Sequence, residues 1–512
     1  MIPIESLLSE ARLRIETLQA EVARLNQVNQ LMNEQVRLLN LRFFGPKADK
    51  LSPNQMQLLL QEVSLTQPEV DREADRPEVE KRLVAKSKKP RAEHPGRERL
   101  PEHLERREEV IACPPQECKC AHCGAERPVI GYAVKETLMC KPAEFWVKVV
   151  KREKRGSHCL EEHGVVTAAA PAQIVPKGKL SNEFIIEVLA SKYQQHLPIY
   201  RQCAWMEENH QIELSRKTLT HAVLAAGALL RPVVQEQARE LLAGTYLQAD
   251  ETTLPCQTGE RTGKNHKAYL WQYSRPKGPV VFDFRMGRGR AGPKEFLRTF
   301  KGILQCDGYG AYADLGAGIV YAGCMAHARR GFVEAARLAP QDPLPQEVLD
   351  RIGEIYAVEA AARAGKLSHQ ARQDLRQQKT VPLMGELKKR ITGIRQESMP
   401  GTKLADACDY ALGQWPRLEV FLHHGIAEVD NNWCEGAMRP LALGRKNWLH
   451  VGSAEAGPKV AAIASIVETC RRLEINLRDY LNDVLSKLAS WSTTTSQVSA
   501  LTPAAWKAAR SA

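Results

Sequence analysis

No run in this 512-residue chain is apolar for long enough to span a bilayer, and its N-terminus lacks the pattern of a secretory signal. A cytoplasmic protein with reduced thiols is therefore expected, in which neighbouring cysteines point to metal before disulfide. The 13 cysteines agree, since an odd number cannot all pair. Acid is in deficit as well: 60 Asp and Glu stand against 72 Lys and Arg, leaving a net charge of +12. Such an excess favours a polyanionic partner, nucleic acid first. What the chain has in plenty is length. With 43% hydrophobic residues it belongs to the globular class, and it is too long for one core, so three or more domains are expected.

Residues 1–41 repeat in steps of three and four. Ile4, Ala11, Leu18, Leu25, Met32 and Leu39 form one seam, and Leu8, Ile15, Val22, Asn29 and Val36 the other. These are d and a positions of a heptad repeat, and a lone Asn at an a position fixes register and two-strandedness. The pattern reads as a parallel zipper; the alternative is one amphipathic helix docked on the protein's own core. Gly45 and Pro46 break the helix, and Lys47 and Lys50 just beyond are placed to touch phosphates. From about Gln67 to Glu109 the chain is rich in charge and proline, either a solvated tether or an extended arm on DNA.

"CKCAHCGAE" supplies Cys120 and Cys123, with Gly124 allowing a tight knuckle turn. Cys159 and His163 lie downstream, beyond a stretch that reads as a strand hairpin. Two short pairs of ligands separated by a hairpin suit structural tetrahedral zinc. Cys113, Cys118, His122 and His158 are spare ligands for the same ion. From Ser181 to about Glu240 three helical patterns follow with short breaks. Pro198 opens one and Ser215 caps the next, with Arg216 and Lys217 on its first turn. That is a helix-turn-helix layout, and equally the layout of a plain three-helix bundle.

The stretch "TYLQADETTLP" reads as a covered strand with acid inside it. A buried carboxylate without a partner costs several kcal/mol, so Asp250 calls for a cation. Alternation sends Glu251 to the opposite face. Two more strands are expected, from Ala268 and from Pro279, then a short helix. Asp307 follows, where an apolar strand ends in a Gly turn, and then a short helix, a strand and a helix. The order matches a ribonuclease H-like topology, whose first and fourth strands are neighbours and would bring Asp250 and Asp307 together. Paired carboxylates are relieved by a hard divalent ion, Mg²⁺ by preference. The helix after Asp430 supplies a third acid, Glu435, sharing a face with Asn431. Pro440 is expected to end or kink that helix. Arg439, Arg445 and Lys446 place positive charge beside the acid for phosphate. Asn431 and His327 are candidates to support the metal-binding acids, His327 equally a packed helix histidine. Residues from about Pro340 to His424 read as an all-helical insertion.

"ADETTLP", "LQCDGYGAY", "GCMAHARRGF", "VDNNWCEGAMRPLALGRKNWLHVGS" and "IVETCRRLEINLRDYLNDVL" resemble the motifs of the insertion sequence 66 family of DDE transposases. The likeness extends from "FFGPKADKL" to "LTPAAWK", nearly the whole chain. It implies a DDE triad of Asp250, Asp307 and Glu435, two Mg²⁺ or Mn²⁺ ions, and DNA strand cleavage and transfer encoded by a bacterial mobile element. The implied partners are double-stranded DNA, as terminal inverted repeats and target, a homodimer or higher oligomer through the zipper, and companion proteins of the same element. The implied location is cytoplasmic, on the nucleoid. Two positions depart from the pattern: Cys159 and His163 stand where a second Cys-x-x-Cys is usual, and Gly436 where Arg commonly follows the catalytic Glu.

The expected fold class is multidomain. It comprises an N-terminal α coiled coil (1–45), a basic and charged linker (46–110), a small zinc-binding β module (111–168) and a helical helix-turn-helix domain (169–243). An α/β ribonuclease H-like catalytic core follows (244–339 and 426–490) with an all-helical insertion (340–425), then a tail (491–512). Two other readings are a non-catalytic DNA-binding regulator, and a nuclease or resolvase of the same fold that cuts without joining. The regulator leaves the three acids unexplained, and the zipper and large insertion argue against the resolvase.

Overall fold

The computed structural model describes residues 14–19, 21–22, 32, 100, 102, 104–141, 144–156, 165–258, 265–490 and 495–511. The chain divides into two compact units, Pro77–Phe300 with Trp433–Ala512, and Met1–Arg76 with Lys301–Asn432.

The first of these units opens with a sheet of β1 (Arg106–Ile111), β2 (Val129–Lys141), β3 (Glu144–Gly156) and β4 (Val165–Thr167). β3 is central, parallel to β1 and antiparallel to β2 and β4. Its "FWVKVV" run is rich in aromatic and β-branched residues, and Trp146, Val147, Val149 and Val150 are buried. Three helices follow: α1 (Asn182–Tyr193), α2 (Ile199–His210) and α3 (Arg216–Leu242). Their starts lie where the sequence puts them. The Ser181 hydroxyl accepts from Phe184 N (3.1 Å), Pro198 precedes α2, and the Ser215 hydroxyl accepts from Thr218 N (3.4 Å). α3 is 27 residues long, and its buried face continues through Leu230, Val233, Val234 and Leu241. An antiparallel ribbon comes next, β5 (Tyr246–Cys256), β6 (His266–Ser274) and β7 (Val280–Arg285), and then α4 (Ala291–Phe296).

The second unit holds a parallel pair, β8 (Gly302–Gln305) and β9 (Ile319–Ala322), with a 3₁₀ turn at Gly310–Tyr312 between them. Helices α5 (Met325–Leu338), α6 (Leu344–Ala364), α7 (His369–Leu375), α8 (Val381–Glu397), α9 (Lys403–Gly413), α10 (Trp415–Leu418) and α11 (Val420–His423) follow. From α6 to α11 no strand interrupts the helices. Val348, Ile352 and Ile355 on α6 and Met384, Leu387, Ile391 and Ile394 on α8 recur at helical spacing and are fully buried. A polar cluster sits among them. Arg372 binds Glu359 (2.5 Å) and Glu428 (2.7 Å), while Arg376, itself fully buried, binds Glu359 (2.7 Å) and the carbonyls of Phe421, His424 and Ala427. Burial alone would push the Glu359 and Glu428 carboxyls up, but these guanidiniums outweigh it and hold both below the ordinary range. Gln305 on β8 donates to the carbonyls of Gly323 (2.9 Å) and Glu428 (2.8 Å), so the same segment is also tied to the strands.

The chain then returns to the first unit through α12 (Asn432–Trp448), α13 (Gly457–Arg472), α14 (Leu477–Ala489), α15 (Thr495–Val498) and α16 (Pro503–Ser511). α12 runs through Pro440 to Trp448, so Pro440 does not end the helix as the sequence suggested. α13 lies against α3 and β7. The contact needs Gly457, because a Cβ there would stand 2.2 Å from the Phe284 ring. Hydroxyls of α13 also serve the edge of β7: Val280 N donates to Thr469 (3.0 Å) and Phe282 N to Ser465 (2.8 Å).

Of the zipper segment, residues 14–19, 21–22 and 32 are helical, and Ile15, Leu18, Val22 and Met32 are exposed. The remaining heptad positions, Lys47, Lys50 and nearly all of the linker lie outside the described residues. Among the described residues no helix is long and apolar enough to cross a membrane.

Candidate functional site

β5 carries adjacent acids with opposite fates. Glu251 has a nearly buried side chain and accepts from Arg288 Nη2 (2.6 Å) and Nε (3.0 Å), so its charge is balanced within the protein. Asp250 points the other way. It is half-buried, and its Oδ1 accepts from Glu251 N (2.9 Å).

Three ties join α12 and the residues just after it to β5 and β6. Near its start the fully buried Cys434 thiol contacts the Ser274 hydroxyl, and its pKa is pushed well up by burial first, then by the Asp250 charge and, more weakly, by Glu435. Further along, Arg445 Nη1 donates to Thr253 Oγ1 (2.7 Å), Thr252 Oγ1 (3.3 Å) and the Thr253 carbonyl. Past the helix, Val451 N donates to Pro255 O (2.8 Å) and Gln257 N to Val451 O (2.9 Å). The Asp250 and Glu435 charges thus both act on this one buried thiol. Arg472 of α13 holds the start of α12: it donates to the carbonyls of Trp433 and Arg275 (3.1 Å). Nothing in the sequence marked Arg472 or Arg288, because their roles rest on contacts remote in the chain. Nothing lies within 4 Å of where a Cβ on Gly436 would stand, so a longer side chain fits beside Glu435.

Asp307 belongs to the other unit. It follows β8, half-buried, and its Oδ1 accepts from Tyr309 N (3.0 Å). The Tyr410 hydroxyl is pushed up by burial and then by the Asp307 charge. In the same unit Cys324, between β9 and α5, accepts at Sγ from Asn431 N (3.2 Å), and His327 N donates to the Cys324 carbonyl (3.2 Å). Both supporting candidates therefore gather at Cys324. Asp430, the nearest rival to Glu435, is occupied: it accepts from Asn432 N (3.0 Å) and Nδ2 (2.8 Å), and it bonds the Tyr356 hydroxyl, whose pKa burial and Asp430 together raise.

Of the basic candidates, Arg216 and Lys217 are exposed on the first turn of α3, with Arg216 over the Tyr200 ring at 5.9 Å. Arg439 and Lys446 are exposed on α12, whereas Arg445 is engaged with β5. In the cysteine-rich segment Gly124 N donates to Cys120 O (2.9 Å) and Cys120 N donates to Ala125 O (2.9 Å). Gly124 sits at φ +71°, which closes the knuckle expected of the first ligand pair. Cys113 donates to the Glu153 carbonyl (3.6 Å) and Cys118 to the Cys113 carbonyl (3.4 Å). Cys159, His163 and His158 lie outside the described residues.

The family model described as "Transposase IS66 family" matches residues 177–459, the span from α1 to the start of α13. The chain belongs to the IS66 family of transposases. A second model, "Transposase C of IS166 homeodomain", matches residues 31–108. Two curated relatives from Sinorhizobium fredii (strain NBRC 101917 / NGR234) cover almost the whole chain. The uncharacterized protein y4jD is 31% identical over 516 residues, 97% of this chain and 98% of its own length. The uncharacterized protein y4qI is 31% identical over 529 residues, 97% and 93% respectively. Membership in this DDE-type family supports a transposase function and implies use of a divalent metal.

Proposed function

We propose that this IS66-family chain binds the ends of its element and catalyses metal-dependent DNA cleavage and strand transfer, with Asp250, Asp307 and Glu435 as the catalytic acids. What supports the reading is that the Asp250 and Glu435 charges both act on the buried Cys434 thiol, while Glu251 and Asp430 are bound to other groups. Two carboxylates are hard oxygen donors of the kind Mg²⁺ takes. Asp307 joins them by its match to the family motif. Bound there, Mg²⁺ would supply positive charge to a nucleophilic oxygen and to the leaving oxygen of a phosphodiester. The chain's own residues hold the acids in place: Arg445 and Arg472 fix α12 against its neighbours, Arg288 removes Glu251 from competition, and Asn431 and His327 support the metal-binding acids. Arg216, Lys217, Arg439, Lys446, Lys47 and Lys50 would bind DNA phosphates, and the N-terminal heptads would pair two chains. The exposed Ile15, Leu18, Val22 and Met32 support that pairing. The test is an assay of DNA products with Mg²⁺ and element-end duplex. Joined products are expected; cut but never joined products would make the chain a resolvase-type nuclease, and intact DNA a regulator.

A zinc ion held by Cys120, Cys123, Cys159 and His163 belongs to the same proposal, supported by the knuckle at Gly124. Metal analysis of the purified protein should give one zinc per chain. Cys120→Ser should lose it and Cys113→Ser should keep it, since the Cys113 thiol is engaged with the Glu153 carbonyl (3.6 Å). Full zinc in Cys120→Ser would end this assignment.

A further inference from the structure

A groove of about 600 Å³ lies between α3, β7, α4 and α13, wholly within the unit that carries Asp250 and Glu435. Phe282, Phe284 and Ala461 are among its apolar lining residues, the two rings mostly covered. Four guanidiniums line it, Arg231, Arg239, Arg285 and Arg298, against two carboxylates, Asp283 and Glu295. Both carboxylates are bound to Arg285 (2.8 and 2.7 Å). Arg239 pairs with Glu236 beside it on α3. Arg231 on α3 and Arg298 just after α4 are exposed, with no ion pair or hydrogen bond among the described residues. The groove therefore offers cations from two elements beside apolar lining residues.

The way β7 takes part narrows the occupant. Residues 281 to 285 all line the groove, although alternate side chains leave a strand on opposite faces, so the groove looks onto the strand's edge. The amides of Val280 and Phe282 already donate to Thr469 and Ser465. An added peptide strand would find those donors taken, which removes β-augmentation. A single strand of nucleic acid fits both remaining features. Its phosphates carry regularly spaced negative charge for the cations, and its bases offer flat apolar faces to the apolar lining.

We propose that this groove binds a single-stranded DNA segment, with Arg231 and Arg298 as the phosphate contacts. The inference rests on the transposase reading, since strand cleavage frees DNA ends. The test uses the full chain and a fluorescent oligothymidylate of about 15 nucleotides, with a duplex of equal length as comparison. In Arg231→Gln/Arg298→Gln the single strand should bind at least tenfold more weakly. The slope of log affinity against log salt should fall by about 1.4, two contacts at roughly 0.7 each. Duplex affinity should change by less than threefold, while Arg216→Gln should weaken the duplex instead. Unchanged single-strand affinity, or equal loss for both probes, overturns the proposal. Displacement of the oligonucleotide by polyglutamate as readily as by unlabelled oligothymidylate also overturns it and gives the groove to an acidic peptide. Selective single-strand loss in a protein that joins no DNA would keep the groove assignment and reject the transposase mechanism.

Discussion

Glu435→Gln is expected to abolish cleavage of element-end DNA while leaving end binding within about threefold of wild type. Gln keeps the shape of the side chain and removes only its charge. The proposed role of Glu435 is to hold metal, and a neutral amide is a poor ligand for a hard divalent ion. Loss of charge stabilisation in a transition state is worth several kcal/mol, so the rate should fall by a factor of about 10² to 10³ or more. Binding draws on exposed cations elsewhere, Arg216 and Lys217 among them. Asp250→Asn and Asp307→Asn should behave alike. The contrast lies with the neighbouring acids. Asp430→Asn disturbs the contacts to Asn432 and Tyr356, and Glu251→Gln frees Arg288, so both should act on stability before chemistry. Active Glu435→Gln beside inactive Asp430→Asn would mean that the triad had been given to the wrong residue.

Glu359→Gln is expected to destabilise the helical insertion by about 3–5 kcal/mol, the usual consequence of breaking a buried ion cluster from one side. Arg376 has no exposed surface, and Glu359 is the carboxylate it binds; removing that charge strands a guanidinium inside the protein. Urea unfolding, with hydrogen exchange read on 344–397, would measure it, and a loss below about 1 kcal/mol would show that carbonyls alone satisfy Arg376. The pH dependence has a definite sign. Glu359 and Glu428 have depressed folded values, so their stabilisation is complete above the ordinary carboxylate value of 4.5 and is lost as pH falls through the folded ones. Wild type should therefore lose stability more steeply below pH 4.5 than Glu359→Gln does.

Local rules served the sequence reading well where chemistry is local. Ser181 and Ser215 cap helices, Gly124 turns the knuckle, and the strands and short helix from Tyr246 to Phe296 fall in the expected order. Alternation alone separated Asp250 from Glu251. The failures were of reach. Pro440 was expected to end or kink α12, and the helix runs on through it to Trp448. The cluster of Glu359, Arg372, Arg376 and Glu428 had no signal in the sequence, because nothing in a helical pattern says that two arginines face inward. Arg472 reaches Trp433 across 39 residues and was equally invisible.

The hydroxyls that serve β7 carry a consequence for how the protein is made. Val280 and Thr469 are 189 residues apart. At about 5–20 residues per second, a ribosome needs on the order of 10–40 s between them. Throughout that interval the nascent chain exposes the outer edge of β7, with its apolar Val281, Phe282 and Phe284, as an open template for pairing with another chain. A truncated message ending before α13 would leave that template bare for good. α13 thus acts as the cover for a strand made long before it, and a fragment that stops short of Gly457 is expected to sediment as aggregate where the full chain does not.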